Sequence, residues 1–88
     1  MNIYTIWRDE RVGYDTYVSA IVTAESEEVA RFMHPGGIEY TWNGNDWVYL
    51  STYASSNWTH PNNVIVELIG YTPNSDESKV LLASFNAG

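Results

Sequence analysis

The stretch "YVSAIVTAESEEVARFMHP", residues 17–35, combines an alternating strand pattern with the signals of a short helix. Small side chains share one face of the predicted strand 17–24, namely Val18, Ala20, Val22 and Ala24. The helix that follows begins after Ser26, which can cap its free amides, and it ends before Pro35. Because small side chains leave room for a closely packed helix, this stretch predicts an α+β fold with one short helix on a sheet.

The predicted helix has one apolar side, formed by Val29, Ala30 and Met33 with Phe32 at its edge. We expect this side to cover the small side chains of the preceding strand. His34 lies at the end of the helix, where a histidine can bind the last free carbonyl groups and interact favourably with the helix dipole.

Apolar and β-branched runs on either side of this unit predict further strands over residues 2–7, 38–42, 46–50, 64–70 and 79–85. The last run, "KVLLASF", is expected to be buried on both faces or nearly so. Short connections favour antiparallel pairing. Residues 1–88 are therefore expected to form a single domain, in the order ββαββββ, with an antiparallel sheet of about five to six strands.

The segment "YTWNGNDWVYL", residues 40–50, surrounds a turn signal with aromatic side chains. The pairing parity places four of them on one face of a hairpin: Tyr40, Trp42, Trp47 and Tyr49. Two interpretations remain open, because this face can point into the core or form an exposed binding platform that Tyr53 and Trp58 extend. Tyr and Trp anchor many protein interfaces, and a base can also stack on such rings.

Composition excludes several classes of function. Eleven acidic residues against four basic ones give a net charge of −7, which disfavours direct binding of nucleic acid. The absence of cysteine excludes disulfides and thiolate metal sites and favours a reducing compartment. The N-terminus does not resemble a signal peptide, and no apolar run is long enough to span a membrane. We therefore expect a cytoplasmic protein that does not bind membranes.

Two arginines, Arg8 and Arg11, lie in the acidic segment "RDERVGYD". They can be neutralised by their acidic neighbours, or their guanidinium groups can hold a phosphate in paired hydrogen bonds. The second alternative requires one of them to lie near the aromatic side chains.

No pattern in the sequence indicates catalysis. The serines lack a nucleophile elbow, no carboxylate pair is evident, and the two histidines, His34 and His60, lack metal-ligand spacing. We expect a protein that is not an enzyme and that needs neither a cofactor nor a metal.

Four stretches resemble a family of small proteins encoded by bacteriophages and prophages. These are "GYDTY" (13–17) with Ala20, "AESEE" (24–28) with Ala30 and Arg31, His34 with Pro35, and the terminal "SFNAG" (84–88). The resemblance covers about half of the chain and brings no catalytic residues with it. It implies a phage accessory protein that acts in the cytoplasm of the bacterial host.

Small acidic phage proteins include anti-CRISPR proteins, which block an effector, and sponges, which sequester a nucleotide-derived immune signal. By this analogy we expect a protein that binds and inactivates a host immune protein. The alternative is a sponge for a cyclic nucleotide or an ADP-ribose-type signal, with its pocket at a homo-oligomer interface. A phage accessory protein unrelated to defence is a third alternative.

Overall fold

The computed structural model describes residues 1–8, 16–52, 55–56, 58–73 and 77–86. This part of the chain contains seven strands and one short α-helix, α1 (Glu27–Arg31), and all strand pairs are antiparallel. The α+β class predicted from the sequence is confirmed. In chain order the strands are β1 (Asn2–Arg8), β2 (Thr16–Ala24), β3 (Tyr40–Trp42), β4 (Trp47–Tyr49), β5 (Ser55–Ser56), β6 (Val64–Tyr71) and β7 (Lys79–Asn86), with a 3₁₀ turn at Pro61–Asn63 before β6.

The strands form two sheets, whereas the sequence predicted one. A four-stranded sheet has the order β6-β1-β2-β7, and a three-stranded sheet has the order β3-β4-β5. The hairpin β3-β4 cannot extend the larger sheet at β1 or β2, because β6 and β7 already occupy the outer edges of these two strands. It pairs instead with the two-residue strand β5, which lies outside the strands predicted from the sequence.

The core lies between the two sheets and under α1. In the register of β1 and β2, Ile6 is opposite Ala20 and Tyr4 is opposite Val22, and all four side chains are buried. Burial of an aliphatic side chain such as Ile6 contributes about 1.5 to 3 kcal/mol. Ala30 of α1 also belongs to this cluster, so the predicted helix on the small-residue face of β2 is confirmed. The remaining buried members are Ala24, Trp47, Trp58 and Val64.

The helix is shorter than its apolar pattern suggested. Ser26 caps it, since its Oγ accepts a hydrogen bond from the amide of Val29 at 3.3 Å. Phe32 is already the C-cap residue, so its side chain leaves the predicted stripe and is 46% exposed. Val29 is exposed as well, which leaves Ala30 as the buried residue of the helix, while Met33 packs against the core from the segment that follows.

Strand β7 is an edge strand, and the prediction that it is buried on both faces is wrong. Leu81 and Leu82 are exposed, and Leu82 retains 65% of its accessible surface. An apolar run predicts burial, but the strand order gives β7 a single neighbour, β2. The longest helix in the described ranges has five residues, so none of them contains a helix able to cross a membrane.

Candidate functional site

His34 is the centre of a buried aromatic cluster. It is 2% exposed and stacks on Tyr40, with ring centroids 3.9 Å apart and planes 6° from parallel. The edges of three further rings approach it at centroid distances of 5.3 to 6.3 Å, those of Tyr17, Trp47 and Trp58. Its ring packs among these side chains in the core, and its Nδ1 accepts a hydrogen bond from the amide of Gly36 at 2.8 Å.

Burial makes this cluster uncharged at neutral pH. Removal from water lowers the pKa of His34 from 6.5 to about 4. Burial also raises the pKa of Tyr17, and the nearby Tyr40 hydroxyl adds to this effect. A neutral imidazole whose Nδ1 is a hydrogen-bond acceptor stabilises the loop after α1.

The hairpin directs its aromatic face towards the core. Tyr40 is opposite Tyr49 and Trp42 is opposite Trp47, so these four side chains share one face, as the pairing parity predicted. Trp47 is buried and its Nε1 donates to the carbonyl of Thr59 at 2.9 Å, while the other three rings are half-buried. Of the two interpretations of this face, the core interpretation fits these positions. Tyr40, Trp42 and Tyr49 each keep part of their surface exposed to a partner.

Trp58 and Arg8 lie together. The Arg8 guanidinium carbon is 5.7 Å from the Trp58 ring centroid, within cation–π distance. The phosphate-clamp hypothesis required an arginine near the aromatic side chains, and Arg8 meets that condition. Trp58 is only 5% exposed, however, so it does not offer an open face on which a base could stack. The other two predicted binding residues, Arg11 and Tyr53, lie outside the described residues.

A surface pocket that the sequence analysis missed lies beside the His34–Tyr40 stack. Its volume is about 250 Å³, and it opens between the segment after α1 and the beginning of β7. We call it the Phe32–Ile38 pocket, after the two exposed apolar residues that line it together with Met33, Tyr40 and Val80. A shallower groove of about 400 Å³ continues from it and shares Gly37, Ile38, Ser78 and Val80.

Two glycines shape this pocket. A Cβ atom at Gly36 would lie 2.5 Å from Cε2 of Tyr40, so only glycine lets the backbone come this close to the ring. Gly37 has a φ of +101°, a conformation that other residues rarely adopt. The pair Gly36–Gly37 and the apolar Ile38 after it were the sequence signal for the pocket. The residues on its far side, including Val80, are too distant in sequence to have been associated with that signal.

The described residues contain no group of three or more His, Cys, Asp or Glu side chains that could hold a metal ion. No family model, curated protein or solved structure matches the chain.

Proposed function

We propose that the protein is a non-enzymatic binding protein with which a bacteriophage inactivates a protein of bacterial immunity. The observation that supports this proposal is the Phe32–Ile38 pocket. Ile38 is 82% exposed at its rim, although an aliphatic side chain gains nothing from contact with water. An exposed apolar rim around a pocket is typical of surfaces that bind another protein.

The shape of the pocket, a small depression with a shallow groove beside it, suits a protein partner. The pocket, at about 250 Å³, fits one large side chain of a partner, and the adjoining groove can accept the chain on either side of it. Tyr40 lines the pocket, so one member of the aromatic hairpin takes part in the proposed contact.

Charge determines the kind of partner. The net charge of −7 attracts a basic protein from a distance and repels nucleic acid. Arg31, one of the four basic residues, forms an ion pair with Glu27 and donates hydrogen bonds to the backbone carbonyls of Pro61 and Val64. We therefore propose a basic protein that presents an apolar or aromatic side chain to the pocket.

The biological setting in this proposal comes from the resemblance of residues 13–17, 24–28 and 84–88 to phage proteins. The bacterial cytoplasm follows from the same resemblance and from the absence of cysteine. The alternative, a nucleotide sponge, has less support because the ring beside Arg8 is buried. It remains an outcome of the experiment below.

The experiment measures infection of defence-competent bacteria that express the wild-type protein, Ile38→Asp or Phe32→Ser. We expect the wild type to raise plaquing efficiency and both variants to lose that effect, because a carboxylate or a truncated side chain at the rim prevents apolar contact. The matched control is Leu68→Asp, which changes an exposed leucine of β6 outside the pocket. Full activity of both pocket variants would contradict the proposed site, and a wild type with no effect on any defended strain would contradict the function.

Native mass spectrometry of the tagged protein from the same cells identifies the class of ligand. A bound mass of protein size that Ile38→Asp loses and Leu68→Asp keeps supports the proposal. A retained mass of several hundred daltons would replace it with the sponge and would direct mutagenesis to Arg8 and Arg11.

A further inference from the structure

The four-stranded sheet has a second face, opposite the core, and this outer face is unusually apolar. Residues directly opposite each other share a face, so the register assigns Trp7 and Ile65 to it, and likewise Ile21 and Leu82. Ile3 alternates with the buried Tyr4 and belongs to the same face. Each of the four strands therefore contributes at least one large apolar side chain.

The solvent face of an antiparallel sheet normally carries polar side chains. Here α1 and the three-stranded sheet both pack on the core face, through Ala30 and Trp47. Within the described ranges the five large apolar side chains of the outer face are partly buried or exposed, and Leu82 is the most exposed of them. This arrangement indicates a surface that another molecule covers.

Charge identifies a second copy of the chain as the occupant. The register assigns two charged side chains to this face, Glu67 opposite Thr5 and Lys79 opposite Thr23, and they lie on the edge strands β6 and β7. Two molecules with a charge of −7 repel each other, so they can meet only where carboxylates are sparse. A basic partner would instead favour the acidic parts of the surface.

The outer face also has the shape that a symmetric contact needs, with both a protruding side chain and a groove. A groove of about 300 Å³ runs beside Leu82 and is lined by the small side chains of Thr5, Ser19 and Ser84. A two-fold interface uses the same patch on both molecules, so the patch must contain both a protrusion and a matching depression. Leu82 and this groove supply the two.

We propose that two copies pack through their outer faces about a two-fold axis and form a homodimer. Four strands about 4.8 Å apart and about six residues long give a face of roughly 19 by 20 Å, or about 400 Å² for each copy. Two such faces bury about 800 Å² in total, less than the roughly 1,000 Å² of a stable specific interface and in the range of weak, transient association. The dimer is therefore weak, and its dissociation constant lies in the micromolar range or above. The dimer does not depend on the proposed function.

Sedimentation velocity over protein concentrations from about 5 to 500 µM tests the dimer, because this range brackets such affinities. We expect the sedimentation coefficient of the wild type to rise from that of a monomer to that of a dimer. Association should tighten with added salt, since screening reduces the repulsion between like-charged copies. Leu82→Asp should weaken it at least about tenfold, because two unpaired carboxylates would be buried in each dimer.

The matched control is Leu68→Asp. Leu68 is also a leucine on an edge strand and is 59% exposed, but it lies opposite Tyr4 and thus on the other face of the sheet. The Leu68→Asp variant should dimerise as the wild type does. Circular dichroism verifies that both variants are folded. A wild type that stays monomeric throughout the range would overturn the proposal, as would a folded Leu82→Asp variant that dimerises normally.

Discussion

The imidazole of His34 lies flat against the phenol ring of Tyr40, with ring centroids 3.9 Å apart. His34 follows α1 and Tyr40 begins β3, so this stack joins the helix end to the smaller sheet. The amide of Gly36 donates to His34 Nδ1, and the missing Cβ of the same glycine makes space for the Tyr40 ring. Three residues thus fix the loop that forms one side of the Phe32–Ile38 pocket.

The burial of His34 predicts a loss of stability in acid. Its pKa is about 4 in the folded protein and 6.5 in the unfolded chain, so the unfolded chain binds an additional proton between these values. Stability from this residue is complete above about pH 6.5 and falls as the pH drops to about 4. The expected loss is about 3 kcal/mol, from about 1.4 kcal/mol for each pH unit of the difference. Urea unfolding at several pH values measures it.

The control for this prediction is His34→Phe, which keeps a ring against Tyr40 but cannot be protonated. At pH 7 it should be less stable than the wild type by about 1 to 3 kcal/mol, because the Gly36 amide loses its acceptor. The difference in unfolding free energy between the wild type and His34→Phe should shrink or reverse as the pH falls from 7 to 4. Parallel stability curves would show that His34 does not titrate in this way.

Gly36→Ala should destabilise the protein and close the pocket. The added methyl group would lie 2.5 Å from Cε2 and 2.8 Å from Cδ2 of Tyr40, so the ring or the backbone must move. Overpacking of this kind costs about 1 to 3 kcal/mol. Gly70→Ala is the matched control, since its Cβ would lie 3.7 Å from the nearest atom of Ile3, an ordinary contact. Thermal unfolding compares the two, and equal melting temperatures would contradict the prediction.

Arg31 should stabilise the protein through backbone hydrogen bonds more than through its ion pair. Its Nη1 donates to the carbonyl oxygens of Val64 at 2.6 Å and of Pro61 at 3.2 Å, which connects α1 to the start of β6. Arg31→Met should therefore cost about 1.5 to 3 kcal/mol, the range for hydrogen bonds from a charged group. Glu27→Gln removes only the exposed pair at 3.2 Å and should cost less than about 0.5 kcal/mol. Urea unfolding of both variants checks this order, and an equal or larger cost for Glu27→Gln would reverse the assignment.

Local signals in the sequence predicted the elements that depend on neighbouring residues. The cap at Ser26, the small-residue face of β2 and the shared face of Trp42 and Trp47 all follow from short-range patterns, and all are found. The position of β7 does not follow from such a pattern, because it depends on pairing across about sixty residues, as between Ala20 and Ala83. An apolar run does not reveal whether its strand has one neighbour or two.

The candidate site was predictable only in part for the same reason. The aromatic side chains of the hairpin were identified, but whether their shared face is exposed to solvent depends on the core into which Trp47 packs. His34 has a polar ring at a helix end, so only its contacts with distant rings reveal its burial. The Phe32–Ile38 pocket joins the segment after α1 to Val80 of β7, two regions that no sequence motif connects.

Trp47 and Trp58 offer a final test, because they are similarly buried and differ in their hydrogen bonds. Trp47 Nε1 donates to the carbonyl of Thr59 at 2.9 Å, whereas Trp58 Nε1 has no acceptor among the described residues. Trp47→Phe removes volume and also leaves a buried carbonyl unpaired. Trp58→Phe removes similar volume, relieves an unpaired N–H group and keeps a ring near Arg8.

We therefore expect Trp47→Phe to cost about 1 to 2 kcal/mol more than Trp58→Phe, which is the penalty for one unsatisfied buried group. Chemical unfolding followed by circular dichroism gives both values and avoids dependence on tryptophan fluorescence, which the substitutions change. If Trp58→Phe proved the more costly of the two, the Trp58 indole N–H would have a partner in solution, and the site beside Arg8 would regain interest as a polar binding site.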